Sequence, residues 1–170
     1  YGQFLVAWES AYFDGILTRS FSLYDYFKAK LWLLIFSCLI MYLLTLPYAF
    51  FGWKAFYINT ASFFYNLGVN SFVLVFSSTY NRKRIDLDRG SAFNYQGTGA
   101  AQFVIVLPLI LLPILIFQGF ALLGEPYWGL FFLGVLGLIG LALSPYWLRE
   151  IVKNFKEKKY RIAAGFREKS

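Results

Sequence analysis

The second apolar stretch of this chain is the most polar, and five of its polar side chains fall on one line. Asn59, Ser62, Asn66, Asn70 and Ser77 follow spacings of 3, 4, 4 and 7, which places them on one face of a helix. A buried amide needs hydrogen-bond partners. The stripe is therefore expected to face protein or water rather than lipid, either as interhelical glue or as the wall of a translocation pathway. Catalysis would need ionisable groups or a metal, and neither is gathered here. The chain has no histidine and one cysteine, Cys38, and Glu125 stands alone in a turn. No acid pair, His/Cys cluster or Ser/His/Asp set can be assembled from such residues. Gly97-Thr98-Gly99 lacks the Gly-Lys-Ser/Thr ending of a phosphate loop. The chain is thus expected to be no enzyme by itself, to need no cofactor and to hold no metal.

The elements that position the stripe follow from charge avoidance. Four stretches carry no charged residue: Leu31 to Trp53, Ala55 to Asn81, Gly90 to Gly124 and Pro126 to Leu148. Each exceeds the roughly 20 apolar residues a helix needs to cross a hydrocarbon core. Runs such as Phe103-Val104-Ile105-Val106-Leu107 do not alternate as a barrel strand would. The expected fold is an all-α polytopic membrane protein with four transmembrane helices in two hairpins, at about 31–51, 58–78, 102–124 and 127–148. Residues 52–57 and Gly124 to Tyr127 are the short connections. Pro108 and Pro113 each remove a backbone donor, so the third span is expected to be hinged or kinked there, or re-entrant. Gly134, Gly137 and Gly140 would let another helix come close to the fourth. Tyr48, Trp53, Tyr57, Tyr127 and Trp128 read as an interfacial belt.

The net charge of +7 could suggest nucleic acid, but its distribution argues against that partner. The N-terminal segment, the loop 79–101 and the tail hold Arg19, Lys28, Lys30, Arg82, Lys83, Arg84, Arg89 and the basic run from Arg149 to Lys169; the opposite face holds only Lys54. This bias puts both termini and the middle loop in the cytoplasm, next to anionic lipid headgroups. Three regions result: residues 1–30, a bundle over 31–148 and a basic tail over 149–170. In the first, Phe4, Leu5, Trp8, Ala11 and Tyr12 recur at helical spacing, which predicts an interfacial amphipathic helix ending at Gly15. Ser22 is placed to cap the next helix, with Asp25 three residues on. The acids Glu9 and Asp14, with no basic residue before Arg19, suit a basic pocket on a protein partner better than an anionic membrane. In the tail, Leu148, Ile151, Val152, Phe155 and Ile162 predict that the fourth span runs on as a basic amphipathic helix, fraying after Gly165. The start at Tyr1-Gly2-Gln3, without an initiator methionine, reads as a piece of a longer protein.

The order of these parts, with Ser22, Asp25, Tyr26, Ala29 and Lys30 leading into the first span, resembles the membrane subunit of ABC-2-type transporters. Tyr1-Gly2-Gln3-Phe4 with Trp8-Glu9-Ser10, then Tyr80-Asn81-Arg82-Lys83-Arg84, Tyr95-Gln96-Gly97-Thr98-Gly99 and Lys159-Tyr160-Arg161-Ile162-Ala163, more closely resemble an uncharacterised bacterial family of ABC-transporter permease-like proteins. The resemblance implies a permease subunit in the bacterial inner membrane, powered by a separate cytosolic ATP-binding subunit and working as a homodimer or paired permease. It further implies that Trp8, Glu9, Tyr12 and Asp14 lie on the coupling helix that meets that ATPase. Two rival expectations are a membrane-embedded enzyme acting on lipids, with its catalytic residues upstream, and a structural or assembly subunit.

Overall fold

A computed structural model of the chain describes residues 4–18, 22–81, 105 and 107–167. Among these residues every regular element is helical and no strand occurs. A 3-10 turn, Ala7–Tyr12, leads into the short α1, Phe13–Thr18. α2 spans Leu23–Thr45 and tightens into a 3-10 segment, Leu46–Phe51. α3, Trp53–Tyr65, passes through a π-helical turn, Asn66–Asn70, into α4, Ser71–Ser78. A second π-helical turn, Leu107–Leu111, opens α5, Leu112–Leu122; α6 is Pro126–Ala142 and α7 is Ser144–Arg167.

Short connections join α2 to α3 and α5 to α6. Gly52, at φ 136°, joins α2 to α3 in a conformation that a Cβ would strain. Between α5 and α6 the Gly124 amide bonds to the Ala121 carbonyl (3.0 Å) and the Glu125 amide to that of Phe120 (2.9 Å), with Gly124 at φ 82°. That pattern satisfies the last carbonyls of α5 before Pro126 starts the next helix. Ser22 caps α2 as expected, its Oγ accepting from the Asp25 amide at 3.3 Å. The helix starts at Leu23, well before the apolar stretch begins.

Leu23–Phe51 is long and apolar enough to cross a membrane, and the most apolar window of it buries none of its residues. The pair α6 and α7 passes the same test only if counted as one bent span, and Leu109–Leu122 is a shorter apolar helix. Here the structure departs from the expected fourth span over 127–148. α6 ends at Ala142, and the chain turns through 65° into α7. Pro145 supplies the cause: its ring has no N–H for the carbonyl of Leu141 and clashes with it.

The tail forms the amphipathic helix that its apolar spacing predicts, and it stays helical beyond the expected end at Gly165. α7 continues past Gly165 to Arg167 and buries Leu148, Ile151, Phe155, Ile162 and Phe166. These residues build a core with Val6, Ala7 and Phe13 of the N-terminal segment, Phe27 and Leu31 of α2, and Phe72 and Val75 of α4. Phe13 meets Phe155 and Phe166 edge-on, with ring centroids at 6.0 and 5.0 Å, and Phe27 meets Phe155 at 5.1 Å. Such edge-to-face pairs add to the area they bury. The N-terminal segment is helical as expected, but Gly15 lies inside α1 rather than ending it. Its buried face is Val6, Ala7, Ser10 and Phe13, whereas Trp8 and Tyr12 are 42% and 76% exposed. Of the expected apolar face, Phe4 and Leu5 pack against this core while Trp8 and Tyr12 point outward: the Phe4–Tyr12 turns are tighter than an α-helix, and that shifts which side chains point inward.

Candidate functional site

The polar stripe divides into two uses. Asn59 ties the first hairpin: the Thr45 hydroxyl donates to Asn59 Oδ1 at 2.9 Å, beside a 3.1 Å hydroxyl contact between Tyr42 and Thr60. Ser62, Asn66 and Asn70 instead line a cavity of about 390 Å³ between α3 and α5, whose far wall includes Leu109, Pro113 and Phe117. Ser77 is buried further along α4, outside that cavity.

The two π-helical turns face each other across this cavity. Pro113 has no N–H to offer the Leu109 carbonyl four residues earlier. Asn70 Nδ2 reaches that carbonyl at 3.4 Å and donates to Asn66 Oδ1 at 2.6 Å. Because a carbonyl only accepts, this pairing also fixes which end of the Asn70 amide carries the hydrogens. Its Oδ1 is enclosed and has no hydrogen-bond partner among the described residues. In the first turn the Asn66 carbonyl accepts both the Ser71 amide, five residues on, and the Ser71 hydroxyl at 2.8 Å. Turns of this kind, with one extra residue in the loop of the hydrogen bond, recur at functional positions. Pro113 stands in the first turn of α5 and Pro108 falls inside the second π-helical turn.

What holds the stripe in register is backbone contact. A Cβ on Gly68 would lie 1.6 Å from the Gly137 carbonyl oxygen; one on Gly140 would lie 2.1 Å from that of Gly68. α6 therefore touches the first π-helical turn directly, as the small residues at positions 137 and 140 foreshadowed. Gly134 has open space above it and lines a second cavity of about 580 Å³, with Tyr57, Phe64, Tyr127, Phe131 and Leu138. That second cavity is apolar, with Thr60 as its hydroxyl-bearing side chain besides the two tyrosines.

The four residues expected to meet a partner sit at the other end of the fold, and their acids are engaged within the chain. The Glu9 carboxylate pairs with Lys30 and accepts from the Tyr26 hydroxyl. Asp14 takes the exposed Arg167 guanidinium in a forked contact of 2.8 and 3.3 Å. Nearby, Lys158 lies over the Tyr80 ring at 3.2 Å and Asn154 donates to its hydroxyl at 3.1 Å. The Lys158 ammonium, followed by that amide, holds the Tyr80 phenol below its ordinary pKa. Sequence reading missed the Glu9 partners and the Leu109 carbonyl. A signal existed for the carbonyl, since it lies four residues before Pro113. None existed for Lys30, which is distant from Glu9 in sequence.

Gly97-Thr98-Gly99, the basic loop after Asn81 and the opening Tyr1-Gly2-Gln3 lie outside the described residues. Among the described residues no three of His, Cys, Asp and Glu come together as a metal site would need. The class of protein is thus an all-helical one with at least one helix fit to cross a membrane. The chain belongs to a family of unknown function, DUF5687, whose model matches residues 1–169. No curated protein and no solved structure matches it.

Proposed function

We propose that the chain is a membrane-spanning permease subunit of an ABC-type transporter, moving its substrate with energy from a separate cytosolic ATP-binding subunit. The observation that carries this reading is the cavity between the two π-helical turns, where amide and hydroxyl groups converge inside helices whose outer surfaces are apolar. Irregular backbone at membrane depth is tolerated where it is buried in protein or lines a cavity, and transporters build substrate sites from such interrupted helices.

In this reading four spans cross the bilayer: α2 with its 3-10 extension, α3 through α4, the second π-helical turn with α5, and α6. The contact between Tyr57 and Tyr127, with ring centroids 5.9 Å apart, supports putting both hairpin tips on one side. The packed core of α1, α7 and the base of α2 then falls on the basic, cytoplasmic side. The ATPase would meet the exposed Trp8 and Tyr12, with Glu9 and Asp14 holding that segment onto Lys30 and Arg167. A homodimer or paired permease would complete the transport unit. The test is Trp8→Ala with Tyr12→Ala in the membrane. Co-purification with the ATP-binding subunit and ATP-driven transport are expected to fall together while insertion stays normal. Unchanged co-purification and transport would remove the permease reading.

A further inference from the structure

A membrane-embedded cavity selects its ligand first by charge. Isolated charges are costly in a low-dielectric interior unless a countercharge is at hand. Among the described residues lining the 390 Å³ cavity there is no ionisable acid or base other than the phenol of Tyr65. What the cavity does offer is the Ser62 hydroxyl and the amides of Asn66, Asn70 and Gln118, set against an apolar wall that includes Ile114 and Leu133. Amides present donors and acceptors together, which suits a hydroxyl or amide group rather than an ion. The enclosed Asn70 Oδ1 adds a second pointer. Among the described residues it is an acceptor without a donor, on an amide whose Nδ2 donates to Asn66 Oδ1 at 2.6 Å and makes a longer 3.4 Å contact to the Leu109 carbonyl. Buried polar atoms are almost always paired in folded proteins, so an unpaired one marks a place where a further donor is missing.

We infer that the cavity between the two π-helical turns binds a neutral amphiphile, with a hydroxyl or amide group against Ser62, Asn66 and Asn70 and an apolar body along α5. The inference rests on the permease reading and names the chemical class of its substrate. A donor from the ligand takes the place beside Asn70, and the weak contact to Leu109 is the one given up. Charged solutes are disfavoured for want of a counterion. A cavity of this size lies within the range of small-molecule sites, roughly 300–1,000 Å³.

The test is photolabelling of the full chain in lipid vesicles with a long-chain alcohol that carries a diazirine, mapped by mass spectrometry. Label is expected on residues 62–70 or 109–118. Unlabelled dodecanol should compete, whereas dodecyl methyl ether, which keeps the chain and loses the donor, should compete about tenfold more weakly, the worth of one hydrogen bond. Laurate, which carries a charge, should compete weakly as well. Asn66→Leu should flatten the preference for alcohol over ether, and the wild-type comparison stands even if that variant folds poorly. Equal competition by alcohol and ether, stronger competition by laurate, or label spread over Phe36 and Leu43 of α2 would overturn the inference. None of these outcomes touches the ATPase test. Unchanged co-purification and transport there would remove the permease reading and leave the binding measurement intact.

Discussion

Adding one methyl group at Gly68 would set a Cβ 1.6 Å from a backbone oxygen of α6, and backbone cannot move aside as a flexible side chain can. Gly68→Ala is therefore expected to destabilise the bundle by about 1–3 kcal/mol or more, in the manner of an overpacked core. Gly134→Ala meets nothing within 4 Å and should stay within about 0.5 kcal/mol of the parent. Thermal unfolding of the two variants in the same detergent checks the contrast; similar melting would contradict the close approach of the helices. Asn70 makes a different prediction. Its removal in Asn70→Leu loses the bonds to Asn66 and Leu109, for an expected cost of roughly 0.6 kcal/mol and at most about 2. Glycine and asparagine act here in opposite ways: one by leaving space, the other by filling a backbone vacancy.

That vacancy belongs to the element. Pro113 opens α5 by denying Leu109 a helical donor, and Asn70 of the first π-helical turn supplies one from the facing helix. If the two are linked in this way, restoring the amide with Pro113→Ala should make the Asn70→Leu change cheaper. A double-mutant cycle on unfolding is expected to show coupling of about 0.5 kcal/mol or more, since residues in one hydrogen-bond network are rarely additive. Strict additivity would mean that the contact is incidental. At the other end of the fold α7 behaves as a core element, not a tail. Phe155 is fully buried between Phe13 and Phe27, so Phe155→Ala should cost about 3–5 kcal/mol. Measured by unfolding or by protease resistance, a cost near zero would return residues 149–170 to the status of a solvated extension. The helical periodicity of this segment was legible in the sequence from Ile151, Phe155 and Ile162. Its partner was not, because a repeat of apolar residues states that a face will be covered without stating by what.

For the whole molecule, the proposed topology makes a direct prediction. Among the described residues, Lys28, Lys30 and the basic side chains of α7 lie on the elements that build the core with the N-terminal segment, and Tyr57 meets Tyr127 where the hairpin tips come together. Single cysteines introduced at Lys54 and Glu125 should react with an impermeant reagent added outside, and one at Lys153 only after permeabilisation. Outside labelling at position 153 would contradict the arrangement, because placing Lys or Arg at mid-bilayer costs about 2.5–3.5 kcal/mol. The sequence by itself determined the helical class, both hairpins with their glycine and proline stops, the Ser22 cap and the stripe from Asn59 to Asn70. These depend on local rules: period, length, φ and capping act within a few residues. Even Pro145, which breaks the fourth apolar stretch at Leu143, was open to such rules. The tertiary structure alone decided that the stripe splits between hairpin tie and cavity wall, that Glu9 is claimed by Lys30 and Tyr26, and that α7 closes over the N-terminal segment. Each of these depends on contacts between residues far apart in the chain, where geometry selects one partner among many chemically equivalent ones.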